Sequence, residues 1–172
     1  MTRTILLLLL AGAGLLMGQE AGACGDKFLV VGRGVRQQRM QGAVQRASIL
    51  LFHDPQGHLQ TALRESNLKE NLKLAGHRLD AAEGLAELKQ RLETGKYDIV
   101  LADISEMAAL EQEISSSLAK PFLLPVIYNP SGEELAEART EFSCVMRSPS
   151  TRKHYLAVID DAMVLRRKRS KP

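Results

Sequence analysis

Two kinds of apolar pattern alternate along this chain: short uninterrupted runs, and longer stretches in which apolar residues recur every three or four positions. Ile49-Leu50-Leu51-Phe52, Ile99-Val100-Leu101-Ala102, Phe122 to Tyr128 and Phe142 to Met146 are runs of the first kind, and His77 to Ala81 is a weaker one between the first two. The first ends in His53-Asp54-Pro55-Gln56-Gly57, the second in Asp103, and the third in Asn129-Pro130-Ser131-Gly132. Runs that are apolar throughout, rather than at alternate positions, predict strands covered on both faces, as in a parallel sheet.

The stretches between them predict helices. Met107, Leu110, Ile114 and Leu118 form one apolar stripe, and Leu85, Leu88 and Leu92 another that Gly95 is placed to end. Ser131 and Glu134 have the spacing of a capping box, and Tyr155, Ile159, Ala162 and Met163 define the last helix. In the first helix Leu63 and Leu68 are five apart, which predicts a kink or a shift in phase. Five strands alternating with five helices predict a doubly wound α/β sandwich with right-handed crossovers. The default site of such a fold is the crevice at the carboxyl ends of its strands.

The first residues obey another logic. Arg3 gives a positive start, Ile5 to Met17 is apolar, and Ala21-Gly22-Ala23 is a small-x-small cleavage pattern, so residues 1–23 read as an export signal. The apolar run has 13 residues. At about 1.5 Å rise per residue it falls short of a hydrocarbon core of about 30 Å, which disfavours a permanent span. Cleavage after Ala23 leaves Cys24 at the new N-terminus, a context that resembles a bacterial lipoprotein signal. It leaves 149 residues, the size of one domain. The expected location is therefore periplasmic or cell-envelope associated, with membrane contact only through a lipid anchor or an uncleaved signal.

In an oxidising compartment Cys24 and Cys144 could also close a long loop, worth about 2–4 kcal/mol. Lipidation and that disulfide exclude each other. A third reading makes Cys144 a buried small hydrophobe without chemistry. Residues 24–46 form an extension in which Phe28-Leu29-Val30-Val31 is a candidate sixth strand at a sheet edge. Gly32-Arg33-Gly34 lacks the third Gly and the later acidic residue of a dinucleotide fingerprint.

The formal charge is +3, but five basic residues lie in the tail, residues 166–172; without that tail and the export signal the chain has 17 basic and 19 acidic residues. A nucleic-acid partner is not indicated.

Ala75-Gly76-His77-Arg78-Leu79-Asp80-Ala81-Ala82 followed by Gly95-Lys96-Tyr97-Asp98-Ile99-Val100-Leu101-Ala102-Asp103-Ile104 resembles the middle of a response-regulator receiver domain. The resemblance covers residues 47–165. It implies a flavodoxin-like α/β fold with a five-stranded parallel sheet in the order 2-1-3-4-5 and helices on both faces. It further implies phosphoryl transfer to an aspartate, with carboxylates holding Mg²⁺, a hydroxyl residue after the fourth strand and a Lys-Pro step after the fifth. Asp103 matches the phosphoacceptor and Asp54 one of the acidic pair. His53 stands at the other acidic position, Pro130 near the hydroxyl position, and Ser148-Pro149 at the Lys-Pro step with Arg147 beside it.

The expected function is therefore an exported, non-enzymatic interaction domain without a complete phosphoacceptor site or a cofactor. It would bind a protein partner through its fourth and fifth helices, by family analogy. Asp103 is then a strand-end carboxylate capping the next helix, and Asp103→Asn is expected to alter stability little. The alternative is a working receiver in a phosphorelay, phosphorylated on Asp103, with Mg²⁺ held by Asp54 and Asp103 and the N-terminal segment as an anchor.

Overall fold

A run such as Ser48-Ile49-Leu50-Leu51-Phe52-His53 sends successive side chains to opposite sides of a strand, so both sides need a cover. In the computed structural model, which describes residues 45–54, 58–93 and 96–170, they get one. β1 (Ser48–His53) and β3 (Ile99–Asp103) lie at the centre of a five-stranded sheet, and every residue of β3 is buried. With β2 (Arg78–Glu83), β4 (Phe122–Tyr128) and β5 (Met146–Ser148) the order is β2-β1-β3-β4-β5, and every pairing is parallel. This is the flavodoxin-like order that the resemblance implies.

Ile49, Leu51, Ile99 and Leu101 pack beneath α1 (Leu59–Glu65), α2 (Leu68–Leu74) and α6 (Arg152–Arg169). Leu50, Phe52, Val100 and Ala102 pack beneath α3 (Gly84–Glu93) and α4 (Met107–Ser116). Each fully buried Leu, Ile or Phe side chain contributes about 1.5–3 kcal/mol of transfer free energy, so the two layers together carry the fold. α5 (Gly132–Glu141) buries only Ala138 and opens on the capping box of Ser131 and Glu134. β2 buries only Ala82 and carries Arg78, Asp80 and Glu83 on the outer strand of the sheet.

Several elements differ from the pattern-based expectation. The first helix is two, because Asn67 turns into the left-handed region at φ 49°. The break resets the helical phase, so that Leu63 and Leu68 both reach the same layer. The fifth strand is Met146–Ser148 rather than 142–146: α5 runs to Glu141, Phe142 caps it through a bond from its N–H to the Ala138 carbonyl, and only from Met146 is the chain paired with β4. Cys144 and Val145 are apolar because they are buried in the connection, not because they are strand. Leu118 lies past the end of α4 and is 90% exposed, so the stripe ends at Ile114. Leu85 is likewise exposed. Residues 166–169 of the basic tail are the last turn of α6, where basic side chains complement the helix dipole, as expected of a solvated helix end. Residues 1–23, Cys24, the strand candidate Phe28 to Val31, the turn 55–57 and Gly95 lie outside the described residues.

The amino edge of the sheet is tied by Asp98. Its Oδ2 accepts the Ser48 N–H at 2.8 Å and its Oδ1 accepts from Arg166 Nη1 at 2.6 Å. Its own N–H donates to the Ser48 carbonyl and its carbonyl accepts from Phe122 N–H, so one residue joins β1, β3, β4 and α6. Beside it, α2 ends in a Schellman motif: Gly76, at φ +93°, donates to the Lys73 carbonyl and His77 to that of Leu72. This sets His77 at the start of β2, where its Nδ1 accepts the Ala47 N–H at 3.1 Å. Burial holds the His77 imidazole below its usual pKa.

Asp98→Ala is expected to cost about 2–3 kcal/mol in chemical denaturation, since it leaves the Ser48 N–H and the Arg166 guanidinium without their acceptor. His77 should make stability depend on pH. Its folded pKa is depressed, so the unfolded chain binds more protons once pH falls below about 6.5, and stability is lost on acidification through that window. Denaturation midpoints measured from pH 7.5 to 5 should fall in the parent protein and fall less in His77→Asn, whose amide oxygen still accepts from Ala47.

Candidate functional site

A parallel sheet with a reversal of strand order opens a crevice at the carboxyl edge, here between the ends of β1 and β3 and the connections after β4 and β5. The sheet brings His53, Asp54, Asp103, Pro130, Ser131 and Ser148 to this edge, each at the end of its strand or just past it.

Asp103 is 5% exposed and occupied on both oxygens. Oδ1 accepts from the N–H of Ser105 at 3.0 Å and from its hydroxyl at 2.7 Å, and Oδ2 accepts from the N–H of His58 at 3.2 Å. The residue therefore caps the short 3₁₀ turn Ile104–Glu106 that leads into α4, and also holds the start of α1. Ser105 was not singled out in the sequence. Its signal was there, since Asp103-Ile104-Ser105-Glu106 has the Asp-x-x-Glu spacing of a helix start.

Glu106 also joins this edge. Its carboxyl is pushed above the usual range, first by burial and then by the negative charges of Asp54 and Asp103, against the opposing hydrogen bond of Ser105. His53 is half-buried, and its buried Nδ1 has no hydrogen-bond partner among the described residues. Burial lowers its pKa, with Glu83 raising it and Lys69 lowering it further. Among the described residues no group of three or more His, Cys, Asp or Glu side chains is placed to hold a metal. Asp54, Asp103 and Glu106 bring carboxylates near one another at this edge, while His53 offers nitrogen where the resemblance has an oxygen ligand and Asp103 accepts three hydrogen bonds from protein donors.

The remaining positions are also committed to structure. Pro130 connects β4 to α5, and the Ser131 hydroxyl accepts from Glu134 N–H at 3.2 Å while Glu134 Oε2 accepts from Ser131 N–H at 2.8 Å. Those bonds hold the Glu134 carboxyl below its usual range. Ser148 is fully buried, its hydroxyl 3.5 Å from that of Tyr155, and the Tyr155 oxygen accepts from Ser150 N–H at 2.6 Å. The Ser148–Pro149 peptide is cis. A neutral hydroxyl pair thus stands at the position matched to a cation, while Arg147, on the opposite face of β5, is exposed.

At the amino edge a groove of about 690 Å³ lies between the ends of α4 and α6, the start of β4 and the connection from α5 to β5. Ile114, Phe122, Phe142 and Cys144 give it an apolar floor, and Arg166 and Arg169 stand at its rim, with Arg169 over the Phe122 ring at 4.9 Å. Cys144 is 1% exposed and its sulfur is in a disulfide bond. The 3.8 Å approach of Sγ to the Val158 carbonyl is therefore a packing contact, since a disulfide sulfur has no proton to donate. No helix among the described residues is long and apolar enough to cross a membrane.

The double capping changes the expectation for Asp103→Asn. An amide keeps one acceptor but turns a donor toward either Ser105 or His58, so the variant should lose about 1–3 kcal/mol rather than be neutral. Thermal or urea denaturation of the variant, with circular dichroism to check that it folds, measures this.

No family model matches the chain, and no curated protein or solved structure is significantly similar to it.

Proposed function

We propose that this chain is an exported interaction domain on a receiver-like scaffold, one that binds a protein partner and performs no phosphoryl transfer. The observation that carries this reading is the state of Asp103. A phosphoacceptor must present a carboxylate oxygen to an incoming phosphorus, and here three hydrogen bonds, two from Ser105 to Oδ1 and one from His58 N–H to Oδ2, engage the carboxylate in capping instead. His53 and Ser148 add to it, because neither supplies the oxygen ligand or the cation that the transfer needs. The disulfide at Cys144 supports placement in an oxidising compartment, where the phosphodonors of receiver domains are absent. The weakly buried α5 and the charged end of α6 support the partner surface.

The experiment is intact mass spectrometry of the protein from fractionated native cells, followed by incubation with Mg²⁺ and an acyl phosphate. The expected result is a chain beginning at Cys24, recovered outside the cytoplasm, whose mass does not change on treatment. An uncleaved cytoplasmic chain that gains one phosphate on Asp103 would replace this reading with that of an anchored phosphorelay receiver.

A further inference from the structure

We infer that the amino-edge groove is the docking site of the chain's own residues 24–31, stapled there by a disulfide between Cys24 and Cys144. Cys144 lines the groove and is disulfide-bonded. The chain has two cysteines, so within one molecule Cys24 is the partner that satisfies the bond. A disulfide brings its two Cα atoms to about 4.4–6.8 Å, so it delivers Cys24 to the mouth of the groove.

The residues after Cys24 suit the surface they meet. Gly25-Asp26-Lys27-Phe28-Leu29-Val30-Val31 holds four consecutive apolar residues. Phe28, four residues from Cys24, reaches up to about 14 Å from it, enough to cross from Cys144 to the Phe122 and Ile114 floor. The rim is mixed in charge, with Lys120, Arg166 and Arg169 available to Asp26, and Glu111 and Glu141 to Lys27.

The rest of the extension is long enough to close the path. Residues 45–47 lead into β1 at this same edge, and β3 alone separates β1 from β4. At about 4.8 Å per strand the chain enters within about 10 Å of the groove. The residues between Cys24 and Gln45 span several times that distance. Bond formation consumes a disulfide oxidant: the two thiols give their protons and two electrons to glutathione disulfide, which leaves as two glutathione thiols, and one Sγ–Sγ bond remains.

The staple needs an oxidising location in the cell, but docking can be tested apart from it. Purified full-length chain is oxidised with glutathione disulfide, mapped by non-reducing peptide digestion, and monitored by hydrogen exchange before and after reduction. The expected result is a Cys24–Cys144 peptide within one molecule and exchange at residues 28–31 slowed by about tenfold or more, lost on reduction. Phe28→Asp should keep the bond and lose the protection. A bond between two copies, or an intramolecular bond with residues 28–31 exchanging freely, overturns the inference. Absence of the bond only in protein from native cells would count against the oxidising location, not the docking.

Discussion

Everything in this domain depends on β1 and β3 being covered on both faces. A strand with buried apolar side chains on both faces has no solvent side, and the only economical answer is a sheet with a helical layer above and another below. That demand sets the parallel pairing, because parallel neighbours need crossover connections, and the crossovers are the helices. It also explains why α1 and α2 break apart at Asn67: the layer over Ile49 and Leu51 gains more from burying both Leu63 and Leu68 than one straight helix gains from continuity.

The two ends of the sheet solve different problems. At the amino edge Asp98 satisfies a backbone donor of β1 and a guanidinium of α6 with one carboxylate, so the helix that closes the sandwich is fastened to its central strands. At the carboxyl edge Asp103 does the corresponding work for the start of α1 and the turn before α4. At the carboxyl edge the carboxylate matched to chemistry is thus engaged in capping, while a groove of about 690 Å³ lies at the amino edge.

The sequence made the order of elements legible because continuous apolar runs and three-to-four stripes report burial directly. It misled where burial and strand geometry part company: Cys144 and Val145 are buried in a connection, and Leu118 continues a stripe past the residue where the helix stops. At the carboxyl edge, the residues were found by their place at strand ends, and the capping role of Asp103 was legible from its position before a helix. Its second bond, to His58 N–H, was not, since it joins segments forty-five residues apart. Tyr155 was read as core, and its hydroxyl's place beside Ser148 and Ser150 depends on a tertiary contact that no local pattern encodes.

Among the described residues β2 is one of the two outer strands of the sheet. A strand with a bare row of backbone donors and acceptors is a template on which another chain can grow, and flat apolar edges are where aggregation starts. β2 carries Arg78, Asp80 and Glu83 along its six residues and buries only Ala82. Charges spaced along it would have to shed their water against any strand arriving alongside. The weak hydrophobic character of this segment, which made it the faintest strand in the sequence, thus also suits it to an outer position, where spaced charges disfavour further pairing.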